Sequence, residues 1–162
     1  MSSAVPQLEN IPVMETGMLI RKPANEVFEA IVDPAITTKF WFTDSTGRLE
    51  PGAEVRWTWS MYDMSSPVKV KEFEQDRRLV VEWGDEPATT TVEWTFDARD
   101  DGTTFVEVKE TGYAGETGDE IVGWAIGSMG GFTQALAGLK AWLEHKVQLG
   151  LTEDRFPDGH PA

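Results

Sequence analysis

The stretch from Thr117 to Lys146, TGDEIVGWAIGSMGGFTQALAGLKAWLEHK, constrains the rest of the chain most strongly. Ala125, Met129, Phe132, Leu136, Leu139 and Leu143 recur at alternating spacings of four and three, the apolar stripe of an amphipathic helix. Thr117 with Glu120 three residues on fits a capping box. Gly150 offers a C-cap, and the late lysines suit the negative end of the helix dipole. At about 1.5 Å per residue such a helix is roughly 45 Å long, enough to cross a small domain. No other segment carries a comparable helical signal, so the preceding residues are expected to form the surface on which this helix lies.

Those residues read mostly as strands. Residues 1–12 carry little pattern and are expected to be a flexible arm. Val13 to Lys22 reads as a first strand, and Pro23 then opens a short helix, Ala24 to Val32. Asp33-Pro34 repeats the start signal for a second short helix reaching about Phe40. From Trp41 onward the period changes to two. Ala53, Val55, Trp57, Trp59 and Met61 alternate with polar residues, as do Val92, Trp94 and Phe96. Val68 to Glu74, Arg78 to Trp83 and Thr103 to Thr111 are further strands, with Asp100-Asp101-Gly102 as a hairpin turn. The expected fold is α+β: one strand, two short helices, a curved antiparallel sheet of about six further strands, and the long helix covering its apolar face. The domain spans 13–148, and 149–162 reads as a tail.

Composition narrows the chemistry. The 162 residues suit one domain with a real core. The chain has no cysteine, which excludes disulfides and thiolate metal sites and fits a reducing compartment. Neither a signal peptide nor a membrane span is legible, so a cytoplasmic protein is expected. A net charge of −14 argues against nucleic-acid binding and membrane insertion. The densest basic run, Lys69 to Lys71 with Arg77 and Arg78, is interleaved with acids. Of the two histidines, His145 closes the long helix and His160 lies in the tail, so no nucleophile–base pair or metal cluster is expected, nor any cofactor.

Seven tryptophans and eight phenylalanines remain to be placed. A curved sheet around one helix tends to leave a space that side chains only partly fill, and aromatic rings favour pocket linings. The candidate ligand-binding residues are therefore Phe40, Trp41, Trp57, Trp59, Trp94, Phe96, Trp124, Met129, Phe132 and Leu136. The plainer reading of the same rings is core. Gly123, Gly127, Gly130 and Gly131 likewise admit two readings: close packing or a kink, or room left for a ligand. Tyr62, Asp63, Glu110 and Tyr113 lie near strand ends, where a cavity mouth would be; they admit two readings, exposed loop residues first, and polar groups that orient a ligand or act as acid or base second.

Three stretches resemble a known family: Lys22 to Pro34 (KPANEVFEAIVDP) with Phe40-Trp41-Phe42, Val68 to Gly84 (VKVKEFEQDRRLVVEWG), and Gly131 to Glu144 (GFTQALAGLKAWLE). The family is that of the heat-shock protein 90 ATPase activator homologue-like proteins, within the START-like (SRPBCC) superfamily of helix-grip domains. Pro51-Gly52-Ala53 departs from its usual paired glycines. The resemblance implies a largely apolar cavity between sheet and helix. The expected function is binding of a small, mostly hydrophobic molecule there, as a non-enzymatic carrier or sensor. The alternatives are a cofactor-free cyclase- or dehydratase-like enzyme, and a regulator of the chaperone's ATPase. The chaperone-activating branch carries an extra N-terminal domain for which 162 residues leave no room, so chaperone contact is the weaker expectation.

Overall fold

The computed structural model describes residues 7–160; residues 1–6 of the expected arm and 161–162 lie outside the described residues. Strand β1 (Met14–Ile20) leads into helices α1 (Ala24–Val32) and α2 (Pro34–Thr37). Asp33 caps α2 as its sequence position requires, its Oδ1 accepting from the Ala35 N–H at 3.0 Å. The buried Thr37 hydroxyl donates to the Ala30 carbonyl at 2.7 Å and fixes the corner between the two helices. Then come β2 (Asp44–Ser45), β3 (Glu54–Trp59), a single 3₁₀ turn at Ser60–Tyr62, β4 (Met64–Glu74), β5 (Arg78–Trp83), β6 (Thr90–Ala98) and β7 (Thr104–Thr111). The long helix α3 (Gly118–His145) and a short α4 (Leu151–Arg155) complete the described chain.

All seven strands form one antiparallel sheet in the order β1-β7-β6-β5-β4-β3-β2. The period-two pattern sends Val55, Trp57, Trp59, Val92, Trp94, Phe96, Val106 and Val108 into the core. The register sets Trp83 opposite Thr90, Trp94 opposite Val108, and Glu110 between Val92 and Met14. On the outer face, Arg78 of the basic run meets Glu72 at 3.0 Å and Glu93 at 2.5 Å.

Helix α3 begins as its sequence predicts, with the Thr117 hydroxyl accepting from the Glu120 N–H at 3.1 Å. Its end differs. Lys146, at φ 54°, closes the helix, whereas Gly150, at φ 65°, sits one residue before α4, within the stretch read as a tail. The Tyr62 hydroxyl bonds the Thr152 carbonyl and holds α4 against the 3₁₀ turn. At the other edge, Lys140 donates to the Leu19 carbonyl at 2.8 Å and Glu144 accepts from the Arg21 N–H at 2.9 Å, tying α3 to β1.

The apolar stripe of α3 is buried only in part. Phe132, Ala135, Leu136, Gly138, Leu139 and Leu143 are buried in its second half, but in the first half only Ile121 is. Met129 is 44 % exposed. By the 3.6-residue period it lies roughly 60° round the helix from Phe132, at the margin of the buried arc.

The glycines divide the same way. A Cβ at Gly123, Gly127, Gly130 or Gly131 would meet nothing within 4 Å, and α3 runs through them as one helix. Close packing instead requires Gly138, where a Cβ would lie 2.9 Å from the Phe40 carbonyl oxygen. Gly138→Ala is therefore expected to destabilise by about 1–3 kcal/mol through overpacking, while Gly127→Ala stabilises by up to about 1 kcal/mol through helix propensity. Denaturant unfolding of both variants checks the pair, and equal effects would contradict it.

Candidate functional site

The inner face of the sheet holds a continuous cluster of rings with Trp41 at its centre. Trp41 follows α2 and reaches the sheet because the turn after Thr37 sends Phe40, Trp41 and Phe42 inward, all at most 8 % exposed. Its ring centre lies 5.1 Å from that of Trp57, 5.8 Å from those of Trp59 and Trp94, and 6.1 Å from that of Trp83. Phe132 comes down from α3 into this set, 5.5 Å from Trp41, 5.4 Å from Trp83 and 5.8 Å from Trp94. These are tilted and edge-on contacts at distances that aromatic pairs favour. The rings meet one another here.

The remaining candidates scatter around this centre. Leu136 is buried on α3, whereas Phe96 packs edge-on against Phe28 of α1 at 5.0 Å, at the far end of the sheet. Trp124 is half-buried over Tyr113, their ring centres 5.4 Å apart. Phe40 is buried with its backbone against Gly138, and Met129 faces outward.

Beside the rings, and beneath the first half of α3, lies a polar group that its position at a strand end disguised. Glu110 is fully buried, with 0 % exposure, and Tyr113 is 3 % exposed. Both read as exposed loop residues from sequence. Glu110 occupies the last inward position of β7, in step with Thr104, Val106 and Val108, and the β7–α3 connection folds Tyr113 back over it. That parity was the available signal. Of the other two candidates near strand ends, Tyr62 is half-buried against α4 and Asp63 lies at φ 51° on the exposed turn.

The Glu110 carboxylate accepts from three donors. Tyr113 donates its hydroxyl to Oε1 at 2.7 Å, Trp83 donates Nε1–H to Oε2 at 2.8 Å, and the Thr90 hydroxyl also bonds Oε2. Among the described residues no lysine or arginine pairs with it. Burial pushes the Tyr113 phenol well above the usual tyrosine range, helped by its bond to Glu110 and opposed by the Ser128 hydroxyl on α3. A raised tyrosine pKa means that the fold favours the neutral phenol. The corresponding stability is complete below about pH 10 and is lost as pH rises from there toward the folded value. Thermal melts across that alkaline range are expected to fall more steeply for the wild type than for Tyr113→Phe, and parallel curves would refute this.

Next to the carboxylate along the inner face lies Trp94, 1 % exposed. Its Nε1–H is the buried side-chain donor among the described residues that finds no acceptor within the protein. Buried polar atoms are nearly always paired, so an unpaired one calls for an account. An open hollow of about 400 Å³ lies between residues 38–43 and 148–154, near Met61; Phe40, Trp41 and Phe42 line it together with Lys39, Glu153 and Asp154, but none of the Glu110 network does. No helix among the described residues is long and apolar enough to cross a membrane.

A model of the family described as Activator of Hsp90 ATPase homolog 1-like protein matches residues 21–144. The crystal structure of a protein from Staphylococcus saprophyticus is similar at 27 % identity and a TM-score of 0.71, over 85 % of this chain and 96 % of that one. CalU16 from Micromonospora echinospora is similar at 16 % identity and a TM-score of 0.66, over 87 % of this chain and 80 % of its own. An HSP90 activator from Plasmodium falciparum is similar at 16 % identity and a TM-score of 0.65, over 82 % and 96 %. The last two likenesses concern the fold alone. No curated protein matches the sequence.

Proposed function

Because this chain belongs to the Activator of Hsp90 ATPase homolog 1-like family, we propose that it uses its helix-grip fold to bind a small, mostly hydrophobic molecule between α3 and the inner face of the sheet. Its role is that of a carrier or sensor, without a cofactor, in the cytoplasm. The observation that supports this reading is Glu110, a fully buried carboxylate with no cationic partner at the edge of an aromatic core. Burying such a group costs several kcal/mol unless its hydrogen bonds are complete, so a purely structural core has little use for it. The half of α3 above it is the more weakly anchored, with one fully buried side chain, Trp124 and Ala125 partly buried, and four glycines at which an added side chain would meet nothing within 4 Å, and it is the segment we expect to lift.

A second reading, contact with a chaperone of the Hsp90 type through the protein surface, draws on the mutual packing of the rings and on the likeness to the Plasmodium falciparum activator. Native mass spectrometry of freshly purified protein, followed by organic extraction, separates the two. A discrete adduct of small-molecule mass, released on unfolding, is expected from the first. A clean apo mass together with saturable binding to an Hsp90 chaperone would replace it with the second.

A further inference from the structure

The polar inventory of the inner face specifies what kind of molecule fits, an inference that rests on the ligand-binding reading above. Glu110 Oε2 already accepts from two donors, Trp83 and Thr90, while Oε1 accepts only from Tyr113. A carboxylate offers about four acceptor positions, so Oε1 has capacity for one more donor. Trp94 contributes the complementary feature, a buried N–H with no acceptor. The two residues are diagonal neighbours on one face, because Trp94 pairs with Val108 and Glu110 stands two residues further along β7. Such neighbours lie about 7–8 Å apart. One free acceptor site and one free donor therefore belong to neighbouring inward positions of β6 and β7, on a wall of rings.

The space in front of that wall is filled by the side chain of Phe132, whose ring touches those of Trp41, Trp83 and Trp94. Phe132 is also the first buried residue after the weakly anchored half of α3. If that half lifts, this ring leaves first, and it vacates a ring-sized space bordered by Trp41, Trp83 and Trp94.

We propose that Phe132 is an intramolecular plug and that the ligand replacing it is a flat aromatic molecule. This ligand carries a hydroxyl or N–H that donates to Glu110 and a carbonyl-type acceptor for Trp94. Three probes of similar size test the assignment by titration calorimetry on the full chain: 2-naphthol, 2-acetylnaphthalene and 2-methylnaphthalene. Hydrogen bonds to charged groups are the stronger class, so 2-naphthol is expected to bind about tenfold more tightly than 2-methylnaphthalene. That preference should shrink to about threefold or less in Glu110→Gln, where the acceptor is neutral. The smaller advantage of 2-acetylnaphthalene over 2-methylnaphthalene should vanish in Trp94→Phe.

Phe132→Leu, milder than truncation to alanine, is expected to raise the affinity for all three probes about fivefold or more, because binding no longer has to expel a ring. Circular dichroism and thermal melts confirm that each variant is folded. Equal affinities for the three probes, or a naphthol preference that survives in Glu110→Gln, would overturn the hydrogen-bond assignment while leaving ligand binding in place. Probe affinities unchanged in Phe132→Leu would overturn the plug. If none of the probes binds either the wild type or Phe132→Leu, the ligand-binding reading falls as well.

Discussion

Glu110→Ala is expected to lower the unfolding free energy by about 2–6 kcal/mol, because each buried donor left without a partner costs about 1–3 kcal/mol. Two donors lose their acceptor, the Thr90 and Tyr113 hydroxyls, while Trp83 Nε1–H keeps the Thr90 oxygen at 2.9 Å. Thr90 is 2 % exposed and Tyr113 3 % exposed, so water cannot replace the carboxylate without the local structure opening. The opposing effect is relief from burying a carboxylate, and it wins only when the donors are removed together with the acceptor. The triple variant Glu110→Leu, Thr90→Val, Tyr113→Phe removes both hydroxyl donors and leaves only Trp83 Nε1–H without its acceptors, so it should recover part of the stability lost in Glu110→Ala. Urea unfolding of both proteins measures the difference. A single variant as stable as the wild type would mean that the network does not hold this end of the sheet.

Trp41→Ala should be comparably damaging, with a loss of about 3–5 kcal/mol from the missing ring and the cavity it leaves. Trp41 touches Phe42, Trp57, Trp59, Trp83, Trp94 and Phe132, so its removal leaves a void bordered by rigid rings that cannot collapse into it. For a domain of this size the loss corresponds to a fall in Tm of about 6–20 °C. Phe156→Ala serves as the contrast. Phe156 is half-buried and stacks only at the C-terminal edge, on Tyr62 and His160, so its loss should cost about 1 kcal/mol. Calorimetric scans of the two variants decide the matter. A Trp41 variant no worse than the Phe156 variant would show that the ring cluster is not the centre of the core.

What the sequence determined by itself was everything governed by local periodicity and local caps. Period two along Ala53–Met61 and Val92–Phe96 fixed which strand faces turn inward, and Thr117 with the 3.6-residue stripe fixed where α3 begins and what it covers. Those are short-range signals: a side chain alternates across a strand, or repeats every turn of a helix, wherever the strand or helix goes. The tertiary structure decided the rest. Met129 satisfies the stripe, yet it is exposed, because it lies at the margin of the arc that the sheet covers. Gly138, not the four earlier glycines, is the position of close approach, because the Phe40 backbone arrives there from a part of the chain almost a hundred residues away. Glu110 had the parity of a core residue and the chemistry of a surface residue. Only the meeting of three strands and the β7–α3 connection could settle that conflict, by bringing Trp83, Thr90 and Tyr113 to its two oxygens. A charged side chain is buried where partners converge, and convergence is a property of the fold rather than of any one segment.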